Sequence, residues 1–199
     1  MAAATELTAR DAARVVGEAH AWDAALKRRS EGAIWMAWGI VIPAIFVSYG
    51  YAAASRAPDW VFATLWAPWT AAGILTTIAI QRVVRAHAPP EPPALQKRVL
   101  VGVAVVALAF TLMGAVLRPT NPTVPLMIDG AVWTFAAAMN AFRFTWEGRV
   151  MMAVTGVGCL VVAGALWLLH PSDDAQGLAA TLATGVLALG TGFWRVLKG

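Results

Sequence analysis

Charge is scarce in this chain: Asp, Glu, Lys and Arg make up 13% of its 199 residues, about half the share found in a soluble globular domain. So little charge cannot coat a water-soluble domain of this size, and 59% hydrophobic content with a mean hydropathy of +0.66 points to lipid as the solvent. One cysteine, Cys159, excludes an intrachain disulfide and any CxxC redox or zinc framework. The long apolar runs contain no Lys, which excludes a retinal Schiff base, and no His, which excludes a haem held by two histidines. Ser48 is the one serine inside them and has no base, so a serine nucleophile fails, and a single intramembrane aspartate, Asp129, cannot form the paired carboxylates of an aspartyl protease. Asp129-Gly130 lacks the later glycine and aspartates of a CDP-alcohol phosphotransferase motif, and there is no Gly-rich phosphate loop. No cofactor and no metal is expected, and no catalytic motif is recognisable, which leaves an integral-membrane enzyme as the third reading behind the two non-enzymatic ones given below.

What is present is a set of apolar runs long enough for a hydrocarbon core of about 30 Å. Residues 33–54, 60–84, 99–117, 123–144, 150–169 and 177–196 are predicted to form six transmembrane helices, giving an all-α, polytopic membrane protein. Short links at 55–59, 118–122 and 170–176 arrange the spans as three hairpins. Arg82, Arg143 and Arg195 sit at span ends, where long side chains snorkel to the interface.

Thirteen of the fifteen basic residues fall on one side of this layout, with Arg56 and Arg118 alone on the other. Basic loops stay in the cytoplasm, so both termini are expected there and the location is a cell membrane. The positive charge is therefore a topology signal that meets anionic lipid, and no nucleic-acid partner is implied. Ten Trp and two Tyr suit the same frame, with Trp35, Trp38, Trp146 and Trp194 near inner ends and Tyr49, Tyr51, Trp60 and Trp167 near outer ends. The Pro-rich stretch 88–94 reads as a stiff polyproline-type spacer.

Residues 1–32 precede the first span and read as a cytoplasmic amphipathic helix. Thr8-Ala-Arg-Asp11 resembles a capping box, and Ala12, Val15, Ala19, Trp22 and Leu26 recur at steps of three and four. Residues 8–29 can lie on the inner headgroups or engage a membrane or cytoplasmic protein. Glu31-Gly32 and Glu147-Gly148 each open a span, with Trp-Met-Ala and Met-Met-Ala shortly after, but no fixed repeat period emerges.

Asp129 lies about two turns into the fourth span, and an ionisable residue there points to function or to a buried partner. On one continuous helix, Trp133, Asn140, Arg143 and Glu147 share its face. Thr70, Thr77 and Gln81 on the second span, and Thr181, Thr184, Thr191 and Arg195 on the sixth, form weaker polar stripes, which serve equally as small-residue packing surfaces. Two roles are open to Asp129: a charged contact for a small solute in a cavity between the even-numbered spans, lined by Asn140, Trp133, Gln81 and Thr77, or a structural ion pair with Arg118 across the tight outer turn. His170, Asp173 and Asp174 read as a solvated turn and not a cation site.

The size and six-span layout resemble the substrate-binding components of energy-coupling-factor transporters, and Ala33-Ile-Trp-Met-Ala37 resembles the small-residue pattern with which their first helix meets a coupling subunit. The charged helix ahead of the first span departs from that family, so membership is not assigned. The expectation is a non-enzymatic multi-pass protein that binds or passes a small solute; the alternative is an accessory or sensory subunit of a larger complex, engaging a soluble partner through its N-terminal helix.

Overall fold

The structure is a computed structural model, and it describes residues 9–86, 101–102, 105, 123–140 and 144–198. Every element among them is helical. In chain order these are α1 (Ala9–Ala54), α2 (Asp59–Thr64), α3 (Trp66–Arg85), α4 (Thr123–Met139), α5 (Trp146–Leu169) and α6 (Asp173–Lys198). Four stretches, Arg10–Ala52, Trp60–Val84, Trp146–Leu169 and Asp174–Lys198, are long and apolar enough to cross a membrane, and Thr123–Met139 is a shorter apolar helix. The predicted third span, 99–117, lies outside the described residues apart from Val101, Gly102 and Val105, which are helical.

The largest departure from expectation is α1. The N-terminal segment and the first predicted span form one uninterrupted helix of 46 residues, about 70 Å long at 1.5 Å per residue. No Gly-Pro or Asn-Pro breaker separates them, and Pro43 lies within the helix with its ring against α6, where a Cβ on Gly185 would lie 3.1 Å from Pro43 Cγ. The second predicted span is instead divided at Leu65 into α2 and α3. Pro68 has no N–H to give to the carbonyl of Thr64, one turn earlier.

Glycines decide which helices touch. A Cβ on Gly32 would lie 2.7 Å from the Gly192 carbonyl oxygen, and one on Gly192 the same distance from Gly32 O; a Cβ on Gly39 would lie 2.8 Å from Leu189 N. The residue numbers run in opposite senses, so α1 and α6 are antiparallel with backbones in contact, the close approach that small residues allow. Gly130 and Gly156 do the same for α4 and α5, each placing an imagined Cβ 2.7 Å from the other's carbonyl oxygen. On its other side α1 meets α3, where Trp38 Nε1 donates to Thr77 Oγ1 at 3.1 Å and Trp69 Nε1 to Ser48 Oγ at 3.2 Å. α1 is thus a central helix, shared by α3 and α6.

The core gathers on it. Trp35 and Trp38, expected at the interface, are each 1% exposed. The Trp35 ring stacks on Trp133 of α4 at 5.1 Å, and Trp38 meets Trp133 edge-on at 5.9 Å. Phe144 and Met152 pack into the same cluster. Trp60, Trp146 and Trp167 stay exposed.

Candidate functional site

Among the described residues, one polar network gathers on Arg195, a residue the sequence placed only at a span end and on the polar stripe of the sixth span. Arg195, near the end of α6, does not reach outward; it turns into the bundle and is 1% exposed. Its Nη1 donates to Glu147 Oε2 at 2.7 Å and its Nη2 to Thr145 Oγ1 at 2.6 Å and to Glu31 Oε2. Thr145 Oγ1 donates in turn to Glu31 Oε2 at 2.9 Å, while the Thr145 amide donates to Glu31 Oε1. Four residues from α1, α6 and the start of α5 therefore close one network around one guanidinium.

Local sequence explains each position. Thr145 is the N-cap of α5, accepting from the Gly148 amide at 3.3 Å, so its hydroxyl is already oriented. Gly148 leaves room for the acid: a Cβ there would lie 2.5 Å from Glu31 Oε2. Gly32 admits the backbone of α6 at Val196, which brings Arg195 within reach. The two Glu-Gly pairs noted in the sequence thus share one job, each supplying a carboxylate to Arg195 beside a glycine that permits close approach. Glu31 is buried whereas the Glu147 side chain is 68% exposed, so the junction has one sealed acid and one open to solvent. Among the described residues, Arg195 Nε has no hydrogen-bond partner.

Asp129 is 2% exposed in the middle of α4, and among the described residues neither carboxylate oxygen has a hydrogen-bond partner. The indole of Trp133, one turn on, is the neighbouring side-chain donor. Its expected ion-pair partner, Arg118, lies outside the described residues. Buried, unsatisfied carboxyl groups are costly, which sets Asp129 apart from the bonded acids around Arg195.

The other expected lining residues divide. Trp133 belongs to the aromatic core. Thr77 is buried, but its hydroxyl is engaged, accepting from Trp38 and donating to Gly73 O at 2.8 Å. Gln81, near the end of α3, is half-buried. Asn140 does not continue the Asp129 face: α4 stops at Met139, and Asn140 turns with φ 50°, the left-handed conformation that Asn tolerates after a helix. Arg149 secures that end, its Nε donating to Ala137 O at 3.1 Å and Nη2 to Ala138 O at 3.3 Å. Glu147 accordingly belongs to α5, so the polar stripe drawn on one continuous helix ends early. On α6, Thr184 and Thr181 bond to their own helix, at Ala180 O and Gly177 O.

Outside the bundle, residues 10–22 of α1 are exposed, with Val15, Val16 and Trp22 each more than half accessible. His170 closes α5 in a left-handed turn, φ 44°, and no group of three metal-ligating side chains occurs among the described residues. The sequence did not bring the members of the Arg195 junction together, because they are separated by up to 164 residues; the repeated Glu-Gly pair and the place of Arg195 on a polar stripe were its local traces. Compared with known protein families, with curated proteins and with solved structures, the chain matches none.

Proposed function

We propose that this chain is a non-enzymatic, multi-pass membrane protein that serves as an accessory or sensory subunit of a larger membrane assembly, engaging a cytoplasmic partner through the N-terminal part of α1. In this reading the chain crosses a cell membrane six times, with both termini in the cytoplasm. The observation that carries it is the continuity of α1: an exposed segment outside the bundle and the central helix of the bundle are one rod. Glu31 sits five residues beyond Leu26, where the rod enters the packed region, and its bonds to Arg195 and Thr145 tie it to α5 and α6. A partner that tilts or holds the exposed segment then acts on three helices at once.

Deleting residues 1–26 tests this. The shortened protein is expected to keep its helix content and elute as a single species while losing its cross-linked partner from native membranes. Recovery of the same partner at the same yield sinks the reading.

A second reading, binding or passage of a small solute, is favoured by one observation, the buried and unbonded carboxyl of Asp129. It predicts that some solute raises the melting temperature of the detergent-purified protein and that Asp129→Asn removes the shift. If the shift survives in the variant, Asp129 is not the contact.

A further inference from the structure

We infer that Thr70 of α3 and Asp129 of α4 form one polar site inside the bundle, and that its ligand is a small primary ammonium with a short hydrocarbon tail. The inference rests on the solute reading and names the class of solute.

Each of the two side chains is 2% exposed, and among the described residues neither the Thr70 hydroxyl nor either Asp129 oxygen has a hydrogen-bond partner. They stand on lines that meet at Trp38, whose indole donates to Thr77 of α3 and whose ring edge meets Trp133 of α4. α3 is antiparallel to α1, since Trp38 meets Thr77 whereas Ser48 meets Trp69. α4 is antiparallel too, since Trp35 meets Phe144 whereas Phe46 packs into the cluster of Leu126. Away from the Arg195 junction, the line of Thr77 leads two turns along α3 to Thr70, and the line of Trp133 leads one turn along α4 to Asp129. Those steps are about 10 Å and about 6 Å, so the two groups lie within about one turn of the same depth. On α1 the same direction leads from Trp38 to the buried Ile42 and Ile45.

Three properties choose the ligand. The first is charge: a carboxylate in an apolar interior requires a proton or a positively charged partner. Arg195, buried at the far end of α4, is held by Glu31 and Glu147, and Asp129 lies about 15 Å along the helix from that end. The second is the donor set. One carboxylate and one hydroxyl fall short of the roughly six oxygens that a divalent metal ion requires, and no group of three metal-ligating side chains occurs among the described residues. A primary ammonium has three N–H donors and satisfies both oxygens. The third is the surroundings: Ile42, Ile45, Ile128 and Val132 belong to one apolar cluster, which suits a hydrocarbon tail and not a second polar end. A bridging water satisfies the hydrogen bonds but leaves the charge uncompensated.

The test uses the full chain in phosphatidylcholine nanodiscs, with empty nanodiscs as the baseline, and measures binding of n-butylammonium, n-butanol and tetramethylammonium by calorimetry. Butylammonium is expected to bind about tenfold tighter or better than the neutral alcohol, which lacks the charge, and than tetramethylammonium, which lacks the donors. Asp129→Asn should erase that preference. Thr70→Val should weaken butylammonium by about threefold to tenfold, whereas Thr70→Ser should keep it. Equal binding of butylammonium and butanol, a preference that survives Asp129→Asn, or full binding by Thr70→Val overturns the proposal. Tetramethylammonium binding as tightly as butylammonium overturns it in favour of a site that reads charge alone. A large fall in the melting temperature of Asp129→Asn without any added solute overturns it in favour of a cation supplied by the chain itself. If a neutral solute raises the melting temperature through Asp129 while butylammonium does nothing, the ammonium class fails and the solute reading stands; if no solute acts through Asp129, the solute reading itself fails.

Discussion

Arg195 Nη2 donates to Glu31 Oε2 across 164 residues of sequence, and the two side chains are 1% and 5% exposed. Breaking a buried pair by removing one partner leaves the other charge unpaired, at about 3–5 kcal/mol. Arg195→Leu is therefore expected to destabilise the bundle by roughly that amount, measured by thermal or SDS-induced unfolding. Arg195→Leu with Glu31→Leu should cost less than the two single changes summed, since no charge is stranded. Glu147→Gln should cost about 1 kcal/mol or less, because the exposed Glu147 carboxylate is well solvated.

The glycines at helix contacts and those facing open space should respond oppositely to alanine. Gly32→Ala and Gly156→Ala force backbones apart and are expected to destabilise by about 1–3 kcal/mol. Gly164→Ala and Gly190→Ala meet nothing within 4 Å and should stabilise by up to about 1 kcal/mol through helix propensity. Melting temperatures of the four variants in one detergent provide the comparison; equal losses at all four positions would refute the assigned seams.

Trp38 ties α1 to α3 through its bond to Thr77 and to α4 through its ring edge on Trp133. Trp38→Phe removes the bond and keeps most of the packing, so a loss of about 1–3 kcal/mol is expected. A double-mutant cycle with Thr77→Val should return a coupling of about 0.5–1.5 kcal/mol, and a coupling of zero would show that the bond contributes nothing.

Asp129→Asn replaces an unbonded carboxyl with a neutral group of the same shape. Unlike Arg195→Leu, it is expected to leave unfolding unchanged within about 0.5 kcal/mol or to raise stability. A large loss would reveal a partner that holds the carboxylate.

How far the fold was legible in the sequence depended on the range of the interaction. The helical stretches followed from hydropathy over about twenty residues. Two boundaries departed from expectation for local reasons: α4 ends at Met139 because Asn140 adopts a left-handed turn and Arg149 takes the last carbonyls, and α1 runs on because nothing between Leu26 and Ile34 breaks it. Trp35 and Trp38 looked like interfacial anchors because composition reports where a ring can sit but not which neighbour it stacks against. Asp129 was recognised because a carboxylate in an apolar run is conspicuous by itself. Arg195 stood out only as a span-end residue on a weak polar stripe, since an arginine there is ordinary until two acids meet it.

The sequence by itself determined the all-helical class and the stretches apolar enough to cross a membrane, since each is a property of consecutive residues. Only the tertiary structure decided that α1 pairs with α6 and α4 with α5, and that Glu31, Thr145, Glu147 and Arg195 close one junction. Those outcomes depend on where glycine lets two distant backbones touch, and hydropathy carries no information about which apolar face meets which.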